Sequence, residues 1–160
     1  MNKGIVRPMK IDDLQAILEI EHASFSTPWS LQAFIAELKD NEYARYLCLE
    51  LDGQVIGYMG LWFILDEGHI TNVAIAPNFR GQNWGEYLMR SMMDRMVKQG
   101  MERMTLEVRA SNIPAQSLYK KLGFTSAGIR KGYYADTQED ALIMWVELGM
   151  DVNVSERQSN

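Results

Sequence analysis

Glu107 and Tyr119 are the pair of side chains whose types could carry proton transfer, since a carboxylate takes a proton at neutral pH and a phenol can give one. Glu107 falls in Leu106-Glu107-Val108-Arg109, a run that reads as a strand. Alternation turns Glu107 away from the face that Leu106 and Val108 share. Tyr119 falls in Ser117-Leu118-Tyr119-Lys120-Lys121-Leu122-Gly123-Phe124, a helix that Asn112 can cap and Gly123 can end. Taken singly, each has a plainer reading: a solvated strand glutamate, and a tyrosine ring packed into the core. His69, of the residue type most used as a general base, opens another strand beside a turn. It reads as a surface or capping residue and ranks behind Glu107, with room for a contribution relayed by water. No His, Cys, Asp and Glu group has metal-ligand spacing, and no nucleophile-His-carboxylate arrangement is present. The expected chemistry is direct transfer, without a metal or a covalent enzyme intermediate.

A second constellation binds rather than reacts. Val73-Ala74-Ile75 reads as a strand, Arg80-Gly81-Gln82-Asn83-Trp84-Gly85 as a polar loop, and the residues from Glu86 through Leu88 as the start of a helix. A helix start offers four amides without intrahelical partners and roughly half a positive charge, so an anion such as phosphate is expected there. Gly81 and Gly85 remove side chains where a ligand would approach the backbone, and Arg80 adds a cation. An ordinary glycine-containing strand-to-helix turn is the competing reading.

The chain has 160 residues, 47% of them hydrophobic, enough for one domain with a single core over residues 1–148. Residues 149–160 are mostly polar and are expected to form a disordered tail. Cys48 is the only cysteine and reads as a small buried hydrophobe in a reducing compartment. The N-terminus lacks a signal-peptide core and no stretch approaches a membrane span, so the expected location is the cytoplasm, with no membrane partner. A net charge of −5 without clustered Lys and Arg argues against an extended nucleic-acid footprint, and an acidic surface suits a basic substrate.

The positioning elements follow from periodicity and caps. A short strand at residues 5–7 is closed by Pro8. Asp12-Asp13 start a helix running to about Phe25, with Leu14, Ile17, Leu18 and Phe25 at helical spacing. Ser26-Thr27-Pro28-Trp29 turns the chain with an exposed aromatic, and Ser30 caps a second helix carrying Phe34, Ile35 and Leu38. Strands at 43–51 and 55–64 flank the hairpin signal Asp52-Gly53, Asp66-Glu67-Gly68 turns again, and a fourth strand runs from 69 to 75. A long helix with Leu88, Met92, Met93 and Met96 ends at Gly100. A fifth strand at 104–108, a helix capped by Asn112 with Pro114 in its first turn, and strands at 125–131 and 141–147 complete the order.

The loop residues Arg80 to Gly85 resemble the Gln/Arg-x-x-Gly-x-Gly/Ala signature of the GCN5-related N-acetyltransferases (GNAT). The element order resembles that family along nearly the whole chain. Asn83 stands where the family usually has its first glycine, which matters if that backbone is left-handed; Asn is the commonest substitute there. The resemblance implies an α/β (α+β) GNAT fold. Its central sheet is mixed and mostly antiparallel, of about seven strands splayed between the fourth and fifth, with four flanking helices. It implies acetyl-CoA as co-substrate and no metal. The diphosphate would sit on Arg80, Gly81, Gln82, Asn83, Trp84, Gly85 and Glu86, with the pantetheine arm along Val73, Ala74 and Ile75 and bonded to Asn112. The segments around Glu107 and Tyr119 are similar to bacterial ribosomal-protein alanine N-acetyltransferases of the RimI type. That implies Glu107 as base and Tyr119 as acid, and a protein or peptide N-terminus as partner, that of a small-subunit ribosomal protein. Phe25, Trp29, Tyr133 and Tyr134 would wall the substrate slot, although the two tyrosines alone could simply stabilise a hairpin. A GNAT enzyme acting on lysine or a small-molecule amine, and a non-catalytic acyl-CoA-binding module, are the alternatives.

Overall fold

A computed structural model describes residues 3–148, so the expected tail at 149–160 lies outside the described residues. The apolar runs form β1 (Ile5–Pro8), β2 (Ala44–Leu51), β3 (Gln54–Ile64), β4 (Glu67–Ile75), β5 (Arg103–Arg109), β6 (Thr125–Arg130) and β7 (Ala141–Glu147). They are hydrogen-bonded in the order β1-β2-β3-β4-β5-β7-β6. Four α-helices accompany them among the described residues: α1 (Leu14–Ser24), α2 (Leu31–Lys39), α3 (Trp84–Lys98) and α4 (Ile113–Lys121). This is the mixed, mostly antiparallel GNAT arrangement expected from the element order. Among the described residues no helix is long and apolar enough to cross a membrane.

The chain divides into two compact units. One holds the described residues through Trp62 together with Thr71–Met92. Here β1 and β3 pair antiparallel with β2. Asp52 and Gly53 both take positive φ, 53° and 79°, the backbone a tight two-residue hairpin needs. Leu14, Ile17 and Ile20 of α1 and Phe34 of α2 bury against Tyr46, Cys48, Tyr58 and Ala74. Helix α1 differs from expectation at both ends. A 3₁₀ turn, Ile11–Asp13, precedes it, because Asp13 accepts the Lys10 amide and both arms of the Arg7 guanidinium at 2.8 and 2.9 Å. Its inward positions are Leu14, Ile17, Ile20 and Glu21, while Phe25 lies beyond the helix and is exposed.

The other unit holds Phe63–Ile70 and the described residues from Met93 onward. The β4–β5 pairing is parallel and confined to Glu67↔Arg103, Gly68↔Met104 and His69↔Thr105, although β4 runs on to Ile75 and β5 to Arg109. Pairing that stops after three residues is what a splay between the fourth and fifth strands requires. β7 pairs antiparallel with β5 along its whole length and with β6 on its other edge. The turn expected at Asp66-Glu67-Gly68 is displaced to Leu65 and Asp66, where Leu65 takes φ 58°. Glu67 and Gly68 are drawn into the strand because Arg103 holds Asp66 and Glu67, and because Met101 packs where a Gly68 side chain would stand.

Candidate active site

The anion loop forms in the first unit. A 3₁₀ turn, Pro77–Phe79, leads from the end of β4 to Arg80, then Gly81 at φ 75° and Asn83 at φ 68° precede α3. Asn83 therefore adopts the left-handed backbone that the resemblance asks of a glycine, a conformation Asn tolerates better than other side chains. Helix α3 starts two residues earlier than the sequence suggests, so Trp84, Gly85 and Glu86 are its first turn. The Tyr87 amide donates to the Asn83 carbonyl, which leaves the amides of Trp84, Gly85 and Glu86 without a carbonyl four residues back in the helix. A side chain at Gly81 would meet open space, so nothing crowds this notch. A helix start, positive φ and an open surface together fit a diphosphate.

The side chains of the loop are placed less uniformly than expected. Arg80 turns back, its Nε donating to the Ile75 carbonyl and its Nη2 to Ser24 Oγ, both at 2.9 Å. Gln82 Nε2 donates to the Asn78 carbonyl at 3.2 Å, and Glu86 pairs with Arg90 at 3.0 Å. The Trp84 ring lies beside Gly4, edge-on to Tyr87. Val73 and Ile75 of β4 are half-buried and Ala74 is buried in the core.

Glu107 and Tyr119 both lie in the second unit. Leu106 and Val108 are buried, whereas the Glu107 side chain remains 28% exposed on the opposite face of β5, as alternation requires. Arg130 Nε stands 3.4 Å from Glu107 Oε1. Helix α4 is docked on the end of β5 by buried Gln116, whose Nε2 donates to the Arg109 and Ala110 carbonyls, both at 2.9 Å. Asn112 caps α4, its Oδ1 accepting the Ala115 amide at 3.2 Å. Tyr119 is half-buried with its ring 5.8 Å from Phe124, and its hydroxyl forms no hydrogen bond among the described residues. Burial first, and the neighbouring Tyr134 second, push its phenol up to about 12. Such a group is a held proton at neutral pH. His69 lies elsewhere on the sheet, paired with Glu67 at 3.4 Å and edge-on to Trp145.

The expected substrate walls are ordered by residues the sequence reading did not single out. Tyr133 is exposed and Tyr134 half-buried, with ring centroids 5.1 Å apart. Arg109 holds their connection: it pairs with Asp136 at 2.9 Å and Glu139 at 3.5 Å, and its guanidinium stacks 4.0 Å from the Tyr134 ring centre. Period two put Arg109 on the face of Glu107, the signal that could have found it. In the first unit, Trp29 is not the exposed aromatic expected; it is half-buried, 5.3 Å from Phe34. The cause is Glu21, a buried carboxylate that accepts the Trp29 amide at 2.9 Å and the Tyr58 hydroxyl. Burial raises the pKa of Glu21.

The acetyltransferase (GNAT) family profile matches residues 14–124. A Bacillus subtilis (strain 168) protein provisionally named a ribosomal protein bS18-alanine N-acetyltransferase is 49% identical over 146 residues, covering 91% of this chain and 97% of that protein. The ribosomal protein bS18-alanine N-acetyltransferase of Escherichia coli (strain K12) is 35% identical over 149 residues, covering 91% and 98%. The crystal structure of the Escherichia coli ribosomal-protein-S18-alanine N-acetyltransferase superposes with a TM-score of 0.84 at 32% identity, covering 91% of this chain and 94% of that one. A left-handed Asn83 before the start of α3, a strand carboxylate and a phenol with no hydrogen bond among the described residues thus occur in a chain whose similarity runs through all of them, and the chain belongs to the GNAT family of acetyltransferases.

Proposed function

We propose that this protein is an acetyl-CoA-dependent N-α-acetyltransferase that modifies the N-terminal alanine of a small-subunit ribosomal protein, as the names of its relatives describe for bS18. The observation that carries the reading is the presence, in one unit of a GNAT chain, of the partly exposed Glu107 carboxylate and of a Tyr119 phenol that has no hydrogen bond among the described residues.

When bound, acetyl-CoA supplies the acetyl group as a thioester. The amides at the start of α3 hold its diphosphate, and the backbone of Val73, Ala74 and Ile75 and the side chain of Asn112 hold its arm. Glu107 takes one proton from the substrate α-ammonium, freeing the nitrogen lone pair that forms the new amide bond. As the carbon–sulfur bond breaks, Tyr119, which carries its proton at neutral pH, gives that proton to the departing sulfur. Phe25 and Trp29 in the first unit, and Tyr133 and Tyr134 in the second, are the residues assigned to contact the substrate chain end. Function in the cytoplasm, where ribosomal proteins are made, accords with this substrate.

The test is steady-state kinetics with acetyl-CoA and two peptides, one starting with a free alanine and one with a blocked N-terminus and an internal lysine, with products located by mass spectrometry. Acetylation confined to the free N-terminus, and loss of turnover in Glu107→Gln and Tyr119→Phe, are expected. Unchanged turnover in both variants, or acetylation of lysine alone, would overturn the reading.

A further inference from the structure

Arg80 stands at the entry to the anion loop, yet its guanidinium turns back along the surface to acceptors of the protein itself. Nε donates to the carbonyl of Ile75, the last residue of β4, and Nη2 donates to Oγ of Ser24, the last residue of α1. Ser24 is itself fixed, its hydroxyl donating to the Ile20 carbonyl at 2.6 Å. The next residue is Phe25, where the connection to α2 begins. That connection is tied at both ends to Glu21, whose carbonyl accepts the Phe25 amide at 3.0 Å and whose carboxylate accepts the Trp29 amide at 2.9 Å. A planar guanidinium presents several donors in a fixed fork, so one side chain can hold two acceptors on different elements at once; an ammonium on a flexible stem cannot keep that geometry. The backbone of Arg80 meanwhile continues into Gly81, where a side chain would meet open space.

We propose that Arg80 is a positioning residue that couples the donor loop to the substrate loop, its side chain transmitting order from residues 81–86 through Ser24 to residues 25–29. The inference rests on the reading that acetyl-CoA occupies the first segment and the peptide meets the second. Donor binding immobilises the loop backbone. Arg80 then holds the end of α1 at a fixed distance from β4, and the peptide wall is ordered before the peptide arrives. Positive coupling of this kind needs no change in average structure, only that one ligand prepays ordering for the other.

Ser24→Ala removes the acceptor while leaving a good helix former, and Arg80→Lys keeps the charge but loses the fork. Hydrogen exchange is measured with and without coenzyme A, and kinetics with acetyl-CoA and an alanine-starting peptide. In the unsubstituted protein coenzyme A is expected to slow exchange in both 81–86 and 25–29. In Ser24→Ala it slows exchange in 81–86 only. The peptide KM rises about fivefold in both variants, the scale of one solvent-exposed hydrogen bond. The KM for acetyl-CoA in Ser24→Ala stays within about twofold, a split that general destabilisation would not produce. Protection of 25–29 and a peptide KM both retained in Ser24→Ala overturn the coupling. A peptide KM in Arg80→Lys equal to the unsubstituted value also overturns it, because charge alone then suffices. Absence of protection at 81–86 in the unsubstituted protein overturns the donor-site reading itself, and the coupling with it.

Discussion

Arg130 reaches Glu107 across an intervening strand: its partner in register on β7 is Ala141, which in turn faces Arg109 on β5. The carboxylate assigned to proton removal thus has a cation 3.4 Å away on a strand that is not its neighbour.

Because that pair is partly exposed on both sides, it adds little to stability, and Glu107→Gln should separate chemistry from folding. We expect kcat/KM for the peptide to fall by about 10²–10⁴-fold, the usual contribution of a general base. Loss of an exposed ion pair should move Tm by less than about 4 °C. Kinetics and a thermal melt on the same preparation check both; a large drop in Tm with matching loss of folded protein would assign Glu107 a structural role instead.

Alkaline pH should report on the buried phenols. Burial is the first cause that pushes Tyr119 and Tyr134 up to about 12, with Arg109 opposing it at Tyr134. A phenol whose folded pKa lies above its ordinary 10 contributes stability that is fully present below pH 10 and lost as pH rises through 12. Tyr119→Phe, which keeps the ring against Phe124, should therefore show a shallower loss of stability between pH 10 and 12 together with a reduced kcat. Denaturant titrations across that window decide it; identical slopes for the two proteins would contradict the assignment.

Asn83 at φ 68° predicts opposite outcomes for two small substitutions. Asn83→Gly should leave the acetyl-CoA KM within about twofold, since glycine enters the left-handed region freely. Asn83→Ala must pay about 1–2 kcal/mol to hold that backbone, and should both lower stability and raise the KM. Calorimetric titration of coenzyme A into the two variants is the direct comparison.

Arg109 organises the connection bearing Tyr133 and Tyr134 through Asp136, Glu139 and the Tyr134 ring. Arg109→Lys keeps the charge and loses the fork and the stack. We expect a peptide KM raised about tenfold and faster tryptic cleavage after Arg130 or Lys131, with the acetyl-CoA KM unchanged. Cleavage no faster than in the unsubstituted protein would show that the connection is held by other bonds.

Local chemistry settled a large part of this protein. Asn112 caps α4 and Ser30 caps α2 because an oxygen-bearing side chain ahead of an apolar helix has amides at hand to accept. Asp52-Gly53 turns between β2 and β3 because both residues accept positive φ, and Glu107 faces away from Leu106 and Val108 because strands alternate. These depend on neighbours in the chain and are therefore written in it.

What the letters did not contain are the partners that folding brings from far along the chain. The turn before β4 is set by Arg103, the start of α1 by Arg7, the burial of Trp29 by Glu21, and the direction of Arg80 by Ser24. A long charged side chain has many rotamers within reach of many acceptors, and its own sequence neighbourhood does not choose among them. Only the packed arrangement of strands and helices leaves one set of partners at bonding distance, and that choice decides which cations meet an anion and which hold the walls of the site.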